Sequence, residues 1–328
     1  MEPSKAIDTI TVRDKKELSI TIGDRMKVQH IQTLVAIADA GSLRGAAEIL
    51  GKSQPALTKA LRQAEEDLGV PIFQRSSRGV VLTELGERVL TRARAITSEV
   101  ARLDAEVAQL RGEQVGAIHV CVSPLAAVKI MPKAMARFHA KFPKIEVHLT
   151  SGLFPNALKP LRDGKTDLVI GPTPPAGMSR DISTEPLLET PIVLLTSRTS
   201  PYLKARSLAD LTDANWIMIG APQGPGDIFR KPFVDRGLSP PAARTTSESY
   251  FGAMSLVEHL GAVCTFPLRL LEDVRSGWAV EHIQIEEELD PLEISLMTRS
   301  GHPLTPMAEE LANCVRRQAT MLTLDDNQ

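Results

Sequence analysis

A chain of 328 residues, 43% hydrophobic and 24% charged, has room for two compact domains and the composition of a globular protein. Its net charge of −2 excludes binding to nucleic acid through a global basic field and leaves open only a local basic surface. No apolar run reaches the roughly 18–20 residues of a membrane helix. The three cysteines, Cys121, Cys264 and Cys314, stand too far apart for metal-ligand spacing, so reduced thiols, a cytoplasmic setting and no metal are expected.

Residues 1–25 mix Lys5, Asp8, Arg13, Asp14, Lys15, Lys16 and Glu17 without the apolar block of a secretory signal. A disordered extension is expected there, with a short strand at 7–12 or initiation at Met26 as alternatives. Next comes the most informative segment, Gly41-Ser42-Leu43-Arg44-Gly45-Ala46-Ala47, followed by Gly51 and by Ser53-Gln54-Pro55-Ala56-Leu57-Thr58-Lys59-Ala60-Leu61. Ser42 is placed to cap a short helix with a small Ala46/Ala47 face, and Gly51 to end it. Ser53 then caps a second helix with Pro55 in its first turn, where a missing N–H costs nothing. This is the chemical outline of a helix-turn-helix, with Leu57, Leu61 and Leu68 as the buried stripe of the second helix. On its outer side Gln54, Thr58 and Lys59 carry groups suited to base edges, and Arg62 lies a turn beyond, toward phosphate. Two short extended pieces around Ser76-Ser77-Arg78-Gly79 read as a β-wing carrying Arg75 and Arg78.

From residue 83 to about 110 an amphipathic run sets Leu85, Val89, Arg92, Ile96, Val100, Leu103, Val107 and Leu110 at spacings of three and four. A helix of about 40 Å cannot bury such a stripe on a small domain, so a dimeric seam is expected. Beyond Gly112 the pattern becomes strand 117–122, helix 126–142, strand 145–150, helix 156–163 and strand 167–171, which implies a parallel sheet with crossover helices. A second series has strands at 192–196, 216–219, 243–246, 262–265, 280–285 and 293–298, and helices near 207–211, 228–236 and 251–260. Helix 307–322 closes the chain.

Residues 28–90 resemble the N-terminal head of LysR-type transcriptional regulators. The likeness rests on Gly-Ser-Leu-Arg-Gly-Ala-Ala (41–47), Ser-Gln-Pro-Ala-Leu-Thr (53–58), Glu65, Leu68-Gly69, Phe73-Gln74-Arg75 and Leu82-Thr83-Glu84-Leu85-Gly86. It extends less sharply over 26–322, and Ala64 departs from the leucine common at its position. The resemblance implies an α+β chain in two parts: a winged helix-turn-helix with a long linker helix, then a two-lobed α/β effector domain built like a periplasmic binding protein. The expected division is an extension at 1–25, a head at 26–83, a linker at 84–112, an effector domain at 113–322 and a tail at 323–328. Lobe I is placed at about 115–187 with 290–322, and lobe II at about 188–289.

The same resemblance implies a dimer of dimers on double-stranded operator DNA in the nucleoid, with RNA polymerase as a further partner. It puts base reading on Gln54, Pro55 and Lys59, and backbone contacts on Ser53, Thr58, Arg62, Arg75 and Arg78, with Ser42 and Arg44 counted among the DNA contacts. Ligands of open α/β sheets sit at the carboxyl ends of strands. Ser123 and Pro124, Ser151 and Gly152, Thr173 and Phe266 occupy such places, with the Ser123 hydroxyl and nearby amides suited to an anion, and Gln223-Gly224-Pro225-Gly226 reads as a glycine-rich loop before a helix that could cradle one. They suggest a small organic anion with an apolar body as effector, and no cofactor. His119 and Cys121 share a strand face without making a metal site, and a Cys121–Cys264 pair across the cleft is the only redox arrangement to weigh. No nucleophile motif supports catalysis, and a solute-binding protein would carry a signal peptide and no helix-turn-helix. A ligand-independent repressor remains a rival.

Overall fold

The computed structural model describes residues 26–76 and 79–325. The expectations for residues 1–25, for Arg78 and for 326–328 lie outside the described residues. The chain divides between Thr97 and Ser98, inside a long helix.

In the first unit, α1 (Val28–Ala40), α2 (Leu43–Ile49) and α3 (Gln54–Leu68) precede a two-stranded wing of β1 (Phe73–Ser76) and β2 (Gly79–Leu82). The caps form as the sequence dictates. Ser42 Oγ accepts the Gly45 amide at 3.1 Å and Ser53 Oγ accepts that of Ala56 at 3.4 Å. Gly41, at φ 64°, takes the left-handed conformation that ends α1. The core joins Leu34, Ile37, Ala46, Ala47, Leu57, Ala64 and Ile72, all buried, while Leu61 and Leu68 of the expected stripe are half-buried. Ala64 is fully buried, and Leu34 and Ile72 pack with it, so its small size is absorbed by a close approach.

α4 (Glu84–Leu110) runs through the division of the chain. Thr83 caps it, its hydroxyl accepting the Gly86 amide at 2.9 Å and donating to the Pro71 carbonyl at 2.8 Å. Along the expected stripe Val89 packs into the head and Val100 is half-buried, while Leu85, Ile96, Leu103, Val107 and Leu110 are exposed.

Among the described residues the second unit has three sheets, of five, three and two strands. The largest sheet, in the order β4-β3-β5-β12-β6, contains β3 (Ala117–Val122), β4 (Glu146–Ser151), β5 (Leu168–Pro172), β6 (Ile182–Thr190) and β12 (Leu292–Arg299). The first three are parallel, as expected, but β12 runs antiparallel to both β5 and β6, so the sheet is mixed. β6 has no counterpart in the sequence reading. Its burial alternates irregularly over Ile-Ser-Thr-Glu-Pro, and a proline within the run argues against a strand; Pro186 is accommodated where the ladder shifts register opposite Ile294 and Ser295. The lobe limit expected at 187 also moves. Leu188 and Thr190 still pair with β12, and the change of sheet falls at Pro191, which has no N–H to extend a ladder.

Lobe II contains β7 (Ile192–Ser197) between β10 (Cys264–Pro267) and β11 (Val280–Ile283), all antiparallel, and a parallel pair, β8 (Trp216–Ile219) and β9 (Ala243–Ser247). Val263 bridges to Trp216 and joins the two sets. The expected helix at 207–211 is a single tight 3₁₀ turn, Leu208–Leu211, and α9 (Leu271–Arg275) was not expected. The remaining helices are α5 (Met131–Lys141), α6 (Leu158–Arg162), α7 (Arg230–Val234), α8 (Tyr250–Leu260) and α10 (Pro306–Asp325), the last extending past the expected limit at 322. A π-helical turn, Ala126–Ile130, leads into α5. Pro132, two residues on, has no N–H for an α-helical bond to Val128, which accounts for the local widening.

Candidate functional site

The head places Gln54, Pro55, Thr58, Lys59 and Arg62 on one exposed run of α3, with Ser53 exposed at its start. Two of the expected DNA contacts are engaged within their own helices: Arg62 Nε donates to Glu66 at 2.8 Å and Arg44 Nε to Glu48 at 3.2 Å. Both pairs are solvent-exposed i,i+4 bridges, which hold an arginine only weakly and release it to a phosphate at little cost. Thr58 Oγ1 bonds back to the Gln54 carbonyl at 3.0 Å, which leaves its methyl outward. Arg75 lies on β1 opposite Val80. Ser42 is half-buried and serves as the α2 cap.

Sequence reasoning noticed Glu65 but gave it no role. Its Oε1 accepts the Ile72 amide at 2.7 Å and the Phe73 amide at 3.1 Å, so the end of α3 fixes the start of the wing. Gly86 is equally particular: a Cβ there would stand 2.1 Å from the Ile72 carbonyl oxygen. The run Leu82-Thr83-Glu84-Leu85-Gly86 is therefore the joint at which α4 meets the start of the wing.

The second unit holds two neighbouring cavities between its lobes. The inner one, about 60 Å³, is lined by Ser123, Pro124, Leu125, Leu153, Pro172, Ile192, Ile219, Tyr250, Phe266 and Ile294 among others, and is almost wholly apolar. The outer one, about 370 Å³, is more polar and is lined by Thr150, Ser151, Gly152, Asn156, Lys165, Thr166 and Glu248. Pro124, Leu153, Ile219 and Tyr250 line both, so the two are compartments of one cleft. Across the outer compartment Asn156 Nδ2 donates to Glu248 Oε1 at 3.0 Å, tying lobe I to lobe II. Burial pushes the Tyr250 phenol well above its usual range, so it stays a neutral donor at this junction.

Of the expected effector residues, Ser123, Pro124 and Phe266 line the inner compartment, and Ser151 and Gly152 the outer one. Three do not line either. Thr173 Oγ1 is consumed by Glu293 at 2.7 Å and Ser295 at 2.6 Å. Gln223 carries a turn, at φ 63°, and a Cβ on Gly224 would stand 2.7 Å from the carbonyl oxygens of Ala221 and Phe154. That glycine serves close packing rather than an anion cradle. Ser123 also differs from expectation: its amide donates to Ile170 at 2.8 Å and its hydroxyl accepts from Ala126. Sequence reasoning missed Lys165, which precedes a strand in a turn, and Tyr250, which opens α8 shortly after β9 ends at Ser247.

The thiols are poorly suited to redox sensing. Cys264 is fully buried, lines neither compartment, and is pushed up to about 12 by burial. Burial also raises Cys121, which lines the outer compartment, and Cys314. His119 stacks on His148 with ring centroids 4.9 Å apart on the sheet surface. Among the described residues no three His, Cys, Asp or Glu side chains gather as a metal site, and no helix is long and apolar enough to cross a membrane.

A winged helix-turn-helix with an exposed donor-rich helix, followed by a two-lobed α/β domain with a cleft, defines a DNA-binding regulator that carries a ligand-binding domain. The sequence comparisons agree in detail. Residues 28–87 match the model of the bacterial regulatory helix-turn-helix proteins of the LysR family, and residues 111–320 match the LysR substrate binding domain. The chain belongs to the LysR family of transcriptional regulators, with a DNA-binding head and an effector-binding domain. It is 28% identical over 298 residues to the transcriptional regulator GalR of Pseudomonas putida, covering 90% of this chain and 74% of that one. It is 27% identical over 300 residues to OxyR of Escherichia coli, covering 89% and 95%. The fold is that of the LysR family regulator CbnR, at a TM-score of 0.65 and 22% identity over 90% of this chain and 99% of that one; CbnR has also been solved with its target DNA.

Proposed function

We propose that this regulator binds an interrupted palindrome as an oligomer paired through α4, reads bases with Gln54, Pro55 and Lys59, and answers to an amphipathic organic anion held in the inter-lobe cleft. The observation that carries the ligand reading is the division of one cleft into an apolar chamber and a polar vestibule that contains Lys165. An aromatic or alicyclic body suits the chamber, where burying a charge without a partner would be costly. A carboxylate then lies in the vestibule, near Lys165, Ser151 and Thr150. This keeps the anion but moves its head away from Ser123.

Pairing through α4 is supported by Ile96, Leu103, Val107 and Leu110, which recur at helical spacing and are exposed, Leu110 at 73%. Two-fold pairing of heads then accounts for a palindromic site. Cytoplasmic action near the nucleoid fits three unpaired cysteines, and contact with RNA polymerase would follow from activation at a promoter. A regulatory rather than catalytic role is favoured because the Ser123 hydroxyl faces the Ala126 amide instead of a general base.

Thermal-shift screening of carboxylates with aromatic or alicyclic bodies, alongside their uncharged amides, tests the ligand reading. Acids should raise the melting temperature of the parent and have a much smaller effect on Lys165→Ala. Equal shifts by acid and amide in both proteins would contradict it.

A further inference from the structure

Residues 163–167, between α6 and β5, face in two directions. On one side Lys165 and the buried Thr166 line the outer compartment of the cleft. On the other, the two residues that flank them hold α4. The Gly164 carbonyl accepts hydrogen bonds from Ser98 Oγ and from Arg102 Nη2. The Asp167 carboxylate takes Arg102 at 2.6 and 3.0 Å, and its second oxygen accepts the backbone amide of His119 at 2.8 Å. Arg102 is in turn steadied by Glu99 at 2.7 Å, and Glu99 also pairs with Arg299 of β12. These contacts together draw the Glu99 carboxyl below its usual range, against the opposing effect of its partial burial.

The turn itself is stiff. The amides of Lys165 and Thr166 both donate to the Pro160 carbonyl, at 2.9 and 3.2 Å, and that of Asp167 donates to the carbonyl of His119 at 2.8 Å. Gly164 sits at φ 72°, and a Cβ there would come within 3.1 Å of Ser98 Oγ and 3.2 Å of Ser98 Cβ. The helix therefore lies so close to the turn that even a methyl group would press on Ser98, and the left-handed φ disfavours any side chain there. A displacement of two adjacent residues in a stiff turn carries to their flanking neighbours, because packed, hydrogen-bonded segments move as units rather than deforming.

We infer that the turn 163–167 is the coupling element between cleft and linker helix: the groups that meet the ligand, Lys165 and Thr166, are covalently flanked by the groups that grip α4, Gly164 and Asp167. Ser98 and Arg102 are its positioning residues on the helix. This rests on the reading of the cleft as the effector site. It adds the route by which occupancy reaches the helix that runs into the head.

The test locks the two lobes across the cleft without a ligand. Asn156→Cys and Glu248→Cys, in a Cys121→Ala, Cys314→Ser background, are bridged by a short bis-maleimide. Hydrogen exchange of α4 amides 98–105 is then read with and without the bridge, in the absence of DNA. With the clamp intact, bridging should change exchange in that stretch by about fivefold or more, the lower end of ordinary coupling between sites. With Arg102→Ala, or with the milder Ser98→Ala should the first fold poorly, the same bridge should leave those amides unchanged. An equal response with and without the clamp, or no response in the parent, would overturn the inference. The thermal-shift screen of carboxylates against the unbridged parent tests the effector reading separately, so failure of one is not mistaken for failure of the other.

Discussion

Glu65 holds Ile72: the carboxylate at the end of α3 accepts the Ile72 backbone amide at 2.7 Å, and with it the amide of Phe73. The wing is thereby referenced to the helix that presents Gln54 and Lys59. Removing a charged acceptor from two partly buried amides costs about 1.5–3 kcal/mol. Glu65→Ala should lose that much in urea unfolding of the head and Glu65→Gln less, since the amide oxygen still accepts. Unchanged unfolding in both variants would remove the bond from the account.

Gly86 gives a steric counterpart. A methyl group 2.1 Å from the Ile72 carbonyl cannot be accommodated by a side-chain shift, because the obstacle is backbone. Gly86→Ala should therefore destabilise by about 1–3 kcal/mol or more, although alanine is the better helix former. Thermal unfolding against wild type decides it; a gain in stability would show that the joint is loose.

The buried thiol yields a pH prediction. Cys264 is raised from 9.0 to about 12 in the folded chain. Below pH 9 the thiol is neutral in both states and contributes no pH dependence. Between pH 9 and 12 the unfolded chain loses this proton while the folded chain keeps it, so stability falls as pH rises, by up to about 1.4 kcal/mol per pH unit from this group. Tyr250, also raised, acts in the same direction at higher pH. Cys264→Ala should flatten the alkaline limb of stability against pH measured by urea unfolding. An unaltered limb would contradict the assignment.

The exposed stripe of α4 predicts assembly. Leu103→Asp places a charge in the centre of the apolar face and should shift sedimentation toward the monomer while leaving the fold of each unit intact by circular dichroism. An unchanged sedimentation coefficient would leave that stripe without a partner.

Much of this molecule is written in local chemistry. Ser42, Gly51, Ser53 and Pro55 mark the ends of α2 and α3 by their own hydrogen-bonding and dihedral preferences, so the head was legible residue by residue. The parallel β3, β4 and β5 were legible because apolar runs alternate with amphipathic helices. β6 was not, since its pairing with β12 is long-range and overrides a sequence interrupted by Pro186. The cleft was half-legible. Strand ends pointed to Ser123, Ser151 and Phe266, but Lys165 and Tyr250 enter from elements whose position depends on the tertiary packing of both lobes. Thr173 looked available only because its partners, Glu293 and Ser295, are more than a hundred residues away.

The central claim concerns α3 as the base-reading rod, and the most direct measurement is a competition titration. Purified protein is bound to the intergenic DNA beside its own gene in the presence of random duplex, across a range of salt. The account predicts a marked preference that weakens steeply with salt. It predicts further that Gln54→Ala costs about 1–3 kcal/mol at one base position, and that Arg62→Ala weakens all sequences alike and lowers the salt slope by about one. Binding that ignores sequence, or a Gln54→Ala protein with undiminished discrimination, would contradict it.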